Sequence, residues 1–245
     1  MENFIFGRNA VLEALRSGHS LNKVLIQEGL QTGSIKEVFA LAKENNVVVE
    51  KVKAEKLDKL VKGKHQGVVA IAAPVSFVSL DDVFAKAAAR HEEPFILVLD
   101  ELQDPQNVGA LIRTADAAGV HGVLIPQRHA CPLNGTVAKI SAGAVEYVPV
   151  VQIGNINLAI EELQRRGCWV VGADMSGTSY YETNLQGAVA LVIGAEGKGL
   201  GRLVKEHCDV LVSLPMAGGV NSLNASAAGA VLMYAIVEQR KKGKV

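Results

Sequence analysis

The sequence predicts an α/β fold in which a mostly parallel sheet, flanked by helices, follows a smaller α/β domain. Three observations predict it. The later part of the chain carries continuous apolar runs such as PFILVLD, the pattern of strands buried on both faces of a parallel sheet. Helical stretches separate most of these runs, and such alternation implies strands covered by helices. Two Gly- and Asn-rich segments, LVIGAEGKGLG (Leu191 to Gly201) and LPMAGGVNSLNASAAG (Leu214 to Gly229), each extend from a strand-like run. Those strand ends are where ligands sit in sheets of this kind. With 245 residues, 49% of them hydrophobic, the chain is long and apolar enough for a packed core.

Residues 1–75 read as a compact domain. Asn9 to Arg16 is helical, Lys23 to Gln27 strand-like, Ile35 to Glu44 helical and Val47 to Val52 β-branched; Leu57 to Val61 is again helical, and Val68 to Ala73 forms a last strand before Pro74. Residues 76–93, with the Ala/Lys stretch FAKAAARHEE, read as a linker containing a short helix. Residues 94–245 form the larger domain. Its strands are FILVLD, GVLIP (Gly122 to Pro126), VEYVPVV (Val145 to Val151), CWVVGAD (Cys168 to Asp174), VALVIG (ending at Gly194) and DVLVSLP (Asp209 to Pro215). Its helices are Val108 to Ala118, Val137 to Ala144, Asn157 to Arg166, Leu200 to Glu206 and Ser226 to Lys241.

Composition narrows the function classes. No apolar stretch approaches the roughly 18 residues that cross a membrane. MENFIFGRNAVLEALRSG lacks the basic start and long apolar middle of a signal peptide, so a cytoplasmic protein without a membrane partner is expected. Cys131, Cys168 and Cys208 are widely spaced, without a CxxC pair, which points to reduced thiols and no structural zinc. His129 and Cys131 could begin a metal site, but no second pair follows, and no metal is expected. A formal net charge of zero argues mildly against a nucleic-acid partner, since phosphate binding usually leaves a basic footprint, yet residues 1–75 hold eleven Lys/Arg against eight Asp/Glu. The excess lies in KVKAEKLDKLVKGK (Lys51 to Lys64), which also reads as a solvated helix face laced by near-neighbour ion pairs.

After FILVLD the chain presents ELQDPQNVGALIRTADAAGV rather than GxGxxG, and GAEGKG has the wrong spacing for a P-loop, so NAD and ATP are disfavoured. In this segment Pro105 and Asn107 mark a helix start, and Val108, Leu111, Ile112 and Ala115 form its buried stripe. Arg113, at the stripe's edge, either pairs with Asp116 or reaches a phosphate or reacting hydroxyl, where its planar fork has the advantage over lysine. Glu196, directly after an apolar strand, sits where a carboxylate is costly unless solvated or paired, and Arg113 is a candidate partner. Ser222 and Asn224 resemble helix-start residues ahead of a small-residue run.

In their order and spacing, LDELQDPQNVGALIRTADAAG, LVIGAEGKGLG and LPMAGGVNSLNASAAG strongly resemble the three signature motifs of the SpoU/TrmH family. These are S-adenosylmethionine-dependent RNA ribose 2'-O-methyltransferases of the SPOUT superfamily, and the resemblance covers residues 94 to 240. IFGRNAVLEAL and HQGVVA (His65 to Ala70) resemble landmarks of the small RNA-binding domain found in the subgroup that methylates a guanosine in the peptidyl-transferase P loop of 23S ribosomal RNA. The resemblance implies a deep trefoil knot at about 191–230 and a homodimer, to whose packing the small-residue face Ala225, Ala228 and Gly229 is suited.

It also implies that Gly194, Leu214 and Leu223 hold S-adenosylmethionine through backbone groups, with Ile193, Met216, Ala217, Gly218 and Ser222 completing the pocket. Asn107, Arg113, Glu196, Ser222 and Asn224 match the catalytic set, in which Glu196 and Asn107 would fix the Arg113 guanidinium. Arg8, Lys62 and Lys64, with Arg113, are the expected RNA contacts. The expected substrate is 23S ribosomal RNA or a pre-ribosomal particle. A tRNA ribose methyltransferase and a non-catalytic RNA-binding or ribosome-assembly factor stand as alternatives.

Overall fold

A computed structural model of the chain describes residues 4–30, 33–72 and 76–242. The chain divides into two compact units, one of residues 1–76 with 132–136, the other of 77–131 with 137–245.

The first unit runs β1 (Phe4–Phe6), α1 (Arg8–Arg16), β2 (Leu21–Gln27), α2 (Gly33–Glu44), β3 (Val48–Val52), α3 (Ala54–Leu60) and β4 (Val68–Ala72). Its sheet has the order β1-β4-β2-β3, with β2 and β3 parallel and the other pairs antiparallel. The period of two in a strand explains why β4 is buried throughout. Val68, Ala70 and Ala72 face the α1 and α2 residues Val11, Leu15, Ile35 and Val38, while Val69 and Ile71 join Leu57 and Val61 on the other side. β1 was not foreseen: three residues are too short for a periodic signal. Ala73 and Pro74, expected to close the last strand, lie outside the described residues.

The second unit contains α4 (Leu80–Ala89), β5 (Phe95–Leu99), α5 (Pro105–Ala117), β6 (Gly122–Pro126), most of α6 (Gly135–Ile140), β7 (Val150–Ile153), α7 (Ile156–Arg165), β8 (Trp169–Ser179), β9 (Val189–Ile193), α8 (Arg202–His207), β10 (Val210–Ser213) and α9 (Ala225–Lys242). The stretch read as a linker carries α4, which opens on a capping box between Ser79 and Asp82 and buries Val83 in the core with Ile96, Val98 and Leu124. All five neighbour pairs of the sheet β10-β8-β9-β5-β6-β7 are parallel. The chain builds outward from β5 to β7, then returns to the other side, so the order reverses between β5 and β9.

Three elements differ from the sequence reading. VEYVPVV does not form one strand: Ala144–Glu146 is a 3-10 turn and pairing starts at Val150, because the Pro149 carbonyl accepts from Val123 N while proline itself has no N–H for a ladder. β8 continues five residues past Asp174. Its register against β10 jumps from Gly172↔Leu211 to Thr178↔Val212, so residues 173–177 bulge out of the pairing. The small face of α9 is covered from within this chain: Ala225 and Gly229 are buried, and a Cβ on Gly229 would run into Leu111 of α5. The absence of a side chain there lets α9 lie against α5 and β9, so Gly229 is not available to a partner.

Candidate active site

The strand ends of β8, β9 and β10 open into a cleft of about 210 Å³ lined by parts of both glycine-rich segments. Ile193 and Gly194 end β9 on one side of it. The loop beyond folds back on itself: Gly199 N donates to the Ala195 carbonyl at 2.8 Å, and Gly197 and Gly199 adopt φ of 77° and 66°. Gly194 must lack a side chain, because a Cβ there would overlap the Gly199 carbonyl and Leu200 N. Leu214, Met216, Ser222 and Leu223 form the facing wall, and Leu232 of α9 contributes to the lining. Ala217 and Gly218 are exposed and do not line the cleft.

Glu196 stands at the cleft with its carboxylate held by two amides. Asn107 Nδ2 donates to Oε2 at 3.1 Å, and Asn224 Nδ2 donates to Oε1 at 3.4 Å. Local folding places both donors. Asp104 caps α5 by accepting from the Gln106 and Asn107 N–H groups, Pro105 fills the first helical position, and Asn107 is 2% exposed. Asn224 Oδ1 accepts from Ser226 N at 2.9 Å and Ser226 Oγ at 2.6 Å at the start of α9, which leaves its NH₂ for Glu196. The three sequence motifs therefore meet on one carboxylate.

Arg113 does not join them. Six residues past Asn107 on α5, it lies about 120° around the helix and about 9 Å along it, by helix geometry. It is exposed and makes neither an ion pair nor a hydrogen bond among the described residues, so neither the expected clamp by Glu196 and Asn107 nor the Asp116 pair is formed. Ser222 is exposed and lines the cleft.

Two charged groups on the cleft went unread in the sequence. Asp174 and Lys205 form an ion pair at 2.6 Å, and Asp174 also accepts from Ser176 N and Oγ. The Lys205 ammonium and the Ser176 donors hold the Asp174 carboxyl below the usual range against the opposing effect of burial. The signal that could have found them is the Asp-x-Ser within CWVVGADMSG, which forms the turn of the β8 bulge. Below the cleft, buried Asp100 accepts from Gly201 N at 2.8 Å; burial pushes its carboxyl above the usual range.

The cleft suits S-adenosylmethionine. Its apolar walls match an adenosine, the side-chain-free Gly194 lets the Gly199 loop close in as one wall, and the Asp174, Lys205 and Glu196 charges suit the polar groups of a zwitterion. No group of three or more His, Cys, Asp or Glu residues able to hold a metal occurs among the described residues. No helix among them is long and apolar enough to cross a membrane.

Residues 94–234 match the SpoU rRNA Methylase family, and residues 4–78 match the RNA 2'-O ribose methyltransferase substrate binding domain. The chain belongs to the SpoU methylase family. It is an RNA 2'-O-methyltransferase whose cofactor is S-adenosylmethionine, with an N-terminal substrate-binding domain. Among its relatives, YacO of Bacillus subtilis, assigned to the TrmH family of tRNA/rRNA methyltransferases, is 48% identical over 240 residues, 97% of this chain and 96% of that protein. The SpoU methyltransferase AviRb of Streptomyces viridochromogenes, solved with AdoMet, is 26% identical with a TM-score of 0.62 over 99% of this chain and 92% of its own. A structure concerned with 2-OH methylation of C/U34 on tRNA matches at 27% identity and TM-score 0.54, over 62% of this chain and 98% of its own.

Proposed function

We propose that this SpoU methylase acts on the ribose 2'-OH of a guanosine in the P loop of 23S ribosomal RNA, free or in a pre-ribosomal particle. The observation that carries the catalytic part is the meeting of all three motifs on Glu196, beside the cleft that suits the cofactor. The ribosomal substrate is supported by the N-terminal domain. The solved structure concerned with tRNA methylation accounts for nearly all of itself but leaves more than a third of this chain without a counterpart.

In this reading the backbone groups of Gly194, Leu214 and Leu223 hold the cofactor, and Ile193, Met216 and Ser222 wall it. S-adenosylmethionine, when bound there, would supply a sulfonium methyl that the ribose oxygen could take in line, with the neutral thioether as leaving group. Arg113 carries five N–H donors and no acceptor, which makes it a poor base. Its fork suits a phosphate next to the reacting ribose and the developing alkoxide, while a phosphate oxygen or water takes the proton. That Arg113 makes no ion pair or hydrogen bond among the described residues supports this role, since its guanidinium is left for RNA. Asn107 and Asn224 fix Glu196 toward the reacting groups. The path from central β9 out to edge strand β10 and back through α9 against α5 supports the knotted topology at about 191–230. Exposed Val231 and Tyr234, three residues apart on α9, support a homodimer through that helix. Arg8, Lys62 and Lys64 serve the RNA. A cytoplasmic site of action fits a ribosomal RNA substrate.

The test is transfer of a labelled methyl group from S-adenosylmethionine to separate pools of unmodified 23S ribosomal RNA and tRNA. Label in a P-loop guanosine ribose is expected. Label in tRNA alone would keep the chemistry and replace the substrate, and cofactor binding with no label in either pool or in pre-ribosomal particles would indicate a non-catalytic RNA-binding factor.

A further inference from the structure

We propose that Phe6 is a stacking platform for an unpaired RNA base, with Lys62 and Lys64 holding the phosphates beside it. The inference rests on the RNA methyltransferase reading and adds the contact through which the first unit grips a single strand.

The observations begin with an aromatic residue the core does not use. Phe4 and Phe6 share one face of β1, but Phe4 packs against the cluster of Leu25, Leu57 and Ile71, whereas Phe6, at the strand's end, is 40% exposed. Gly63 lies against its ring: a Cβ there would come 2.7 Å from Cε2 and 3.1 Å from Cζ. The ring is thus braced by backbone on one side and partly open to solvent.

The two N-terminal sequence landmarks, far apart in the chain, meet here. Gly7 N donates to the Val68 carbonyl at 3.1 Å, Arg8 N to Gln66 Oε1 at 3.2 Å and Arg8 Nε to the Gln66 carbonyl at 3.1 Å. Inside the loop, His65 N donates to the Gly63 carbonyl and Gly67 N to His65 Nδ1, which leaves Nε2 to donate to Asp58 at 2.9 Å. A surface held this firmly gives up little freedom on binding.

Charge selects the occupant. Lys62 and Lys64 flank Gly63, are exposed and make no ion pair among the described residues, whereas Lys23 and Lys56 of the same unit are both engaged by Glu50. A braced aromatic face between unneutralised lysines is the combination that binds single-stranded nucleic acid, the ring taking a base and the cations its phosphates. It explains why a phenylalanine stands exposed at the edge of a basic loop.

The experiment is fluorescence anisotropy of the full chain with a labelled twelve-nucleotide oligouridylate at stepped salt, with S-adenosylmethionine affinity measured on the same samples. Phe6→Ala is expected to weaken binding about tenfold with the salt slope and cofactor affinity unchanged. Phe6→Trp is expected to bind at least as well as the parent. Lys62→Ala and Lys64→Ala are each expected to reduce the slope of log affinity against log salt by about 0.7. Should Phe6→Ala not fold, Phe6→Leu, which keeps the apolar cover over Gly63 but removes the π-face, carries the same expectation. Parent-like binding by the folded Phe6 variant would overturn the platform. So would a parent chain that binds a 23S transcript but not the oligonucleotide, and in both cases the methyltransferase reading would stand. A parent chain that binds cofactor but neither RNA, and that methylates no pre-ribosomal particle, would take down both.

Discussion

Glu196 illustrates how a single residue was half legible. Its position after a buried strand marked it as a carboxylate in need of a partner, and the motifs named Asn107 and Asn224 beside it, but the partner proposed from charge, Arg113, is not the one that binds it. The error is one of phase. Motif spacing says which residues share a helix, while 100° per residue decides which share a face. Asp174 and Lys205 were missed for a related reason: what turns Asp174 toward the cleft is the jump in pairing between β8 and β10, and register against a strand about forty residues away has no local signature. At Gly194 the consequence is sharp. Gly194→Ala would force its Cβ into the Gly199 backbone, so calorimetric titration is expected to show at least a hundredfold loss of S-adenosylmethionine affinity as the cleft wall moves. Parent-like affinity would mean that the loop re-forms without contributing to the pocket.

The elements that frame the site are fastened at their far ends. His121, with a side chain 1% exposed, accepts from Phe95 N at 2.9 Å through Nδ1 and, as the neutral Nε2 tautomer, donates to Glu92, which fixes the start of β5. Burial pulls its pKa below 6.5, outweighing the attraction of Glu92. The unfolded chain then binds the extra proton first, so the stability His121 contributes is full above about pH 6.5 and is lost as pH falls through its folded value. Thermal melts should show a fall in Tm below about pH 6.5 that is shallower in His121→Gln; identical profiles would remove His121 as the cause.

At the end of α9, the Arg240 guanidinium lies 4.9 Å from the Phe95 ring and donates to the carbonyls of Glu93, Pro94 and Gly187. This anchors the helix to the starts of β5 and β9. Arg240→Lys loses the fork and is expected to cost about 2 kcal/mol in urea unfolding; a change below about 0.5 kcal/mol would show the anchor to be dispensable. Neither fastening could be read from the sequence, since each joins residues through side chain to backbone contacts that leave no periodic trace. The helices and buried strands were legible because burial on both faces imposes unbroken apolar runs.

At the scale of the whole molecule, the parallel sheet and its division from a smaller N-terminal unit follow from apolar runs and a change in charge, whereas the path of the last fifty residues does not. Alternation implies only strands covered by helices, and the motif resemblance alone points to a knot. The small-residue stripe of α9 was assigned to a partner, yet Gly229 serves the contact with α5, and what α9 leaves outward is Val231 and Tyr234. If those residues form the homodimer, Tyr234→Asp should sediment as a monomer where the parent sediments as a dimer; an unchanged dimer would move the interface elsewhere.

We propose that the three motif segments assemble one methyl-transfer site in which Arg113, without an ion pair or hydrogen bond among the described residues, acts on the RNA. The most direct measurement is the single-turnover rate of methyl transfer by Arg113→Lys, with cofactor affinity determined on the same preparation. For this role of Arg113, S-adenosylmethionine binding within about twofold of the parent is expected, with a rate lower by about a hundredfold or more, because lysine keeps the charge and loses the fork. A near-parental rate would contradict it.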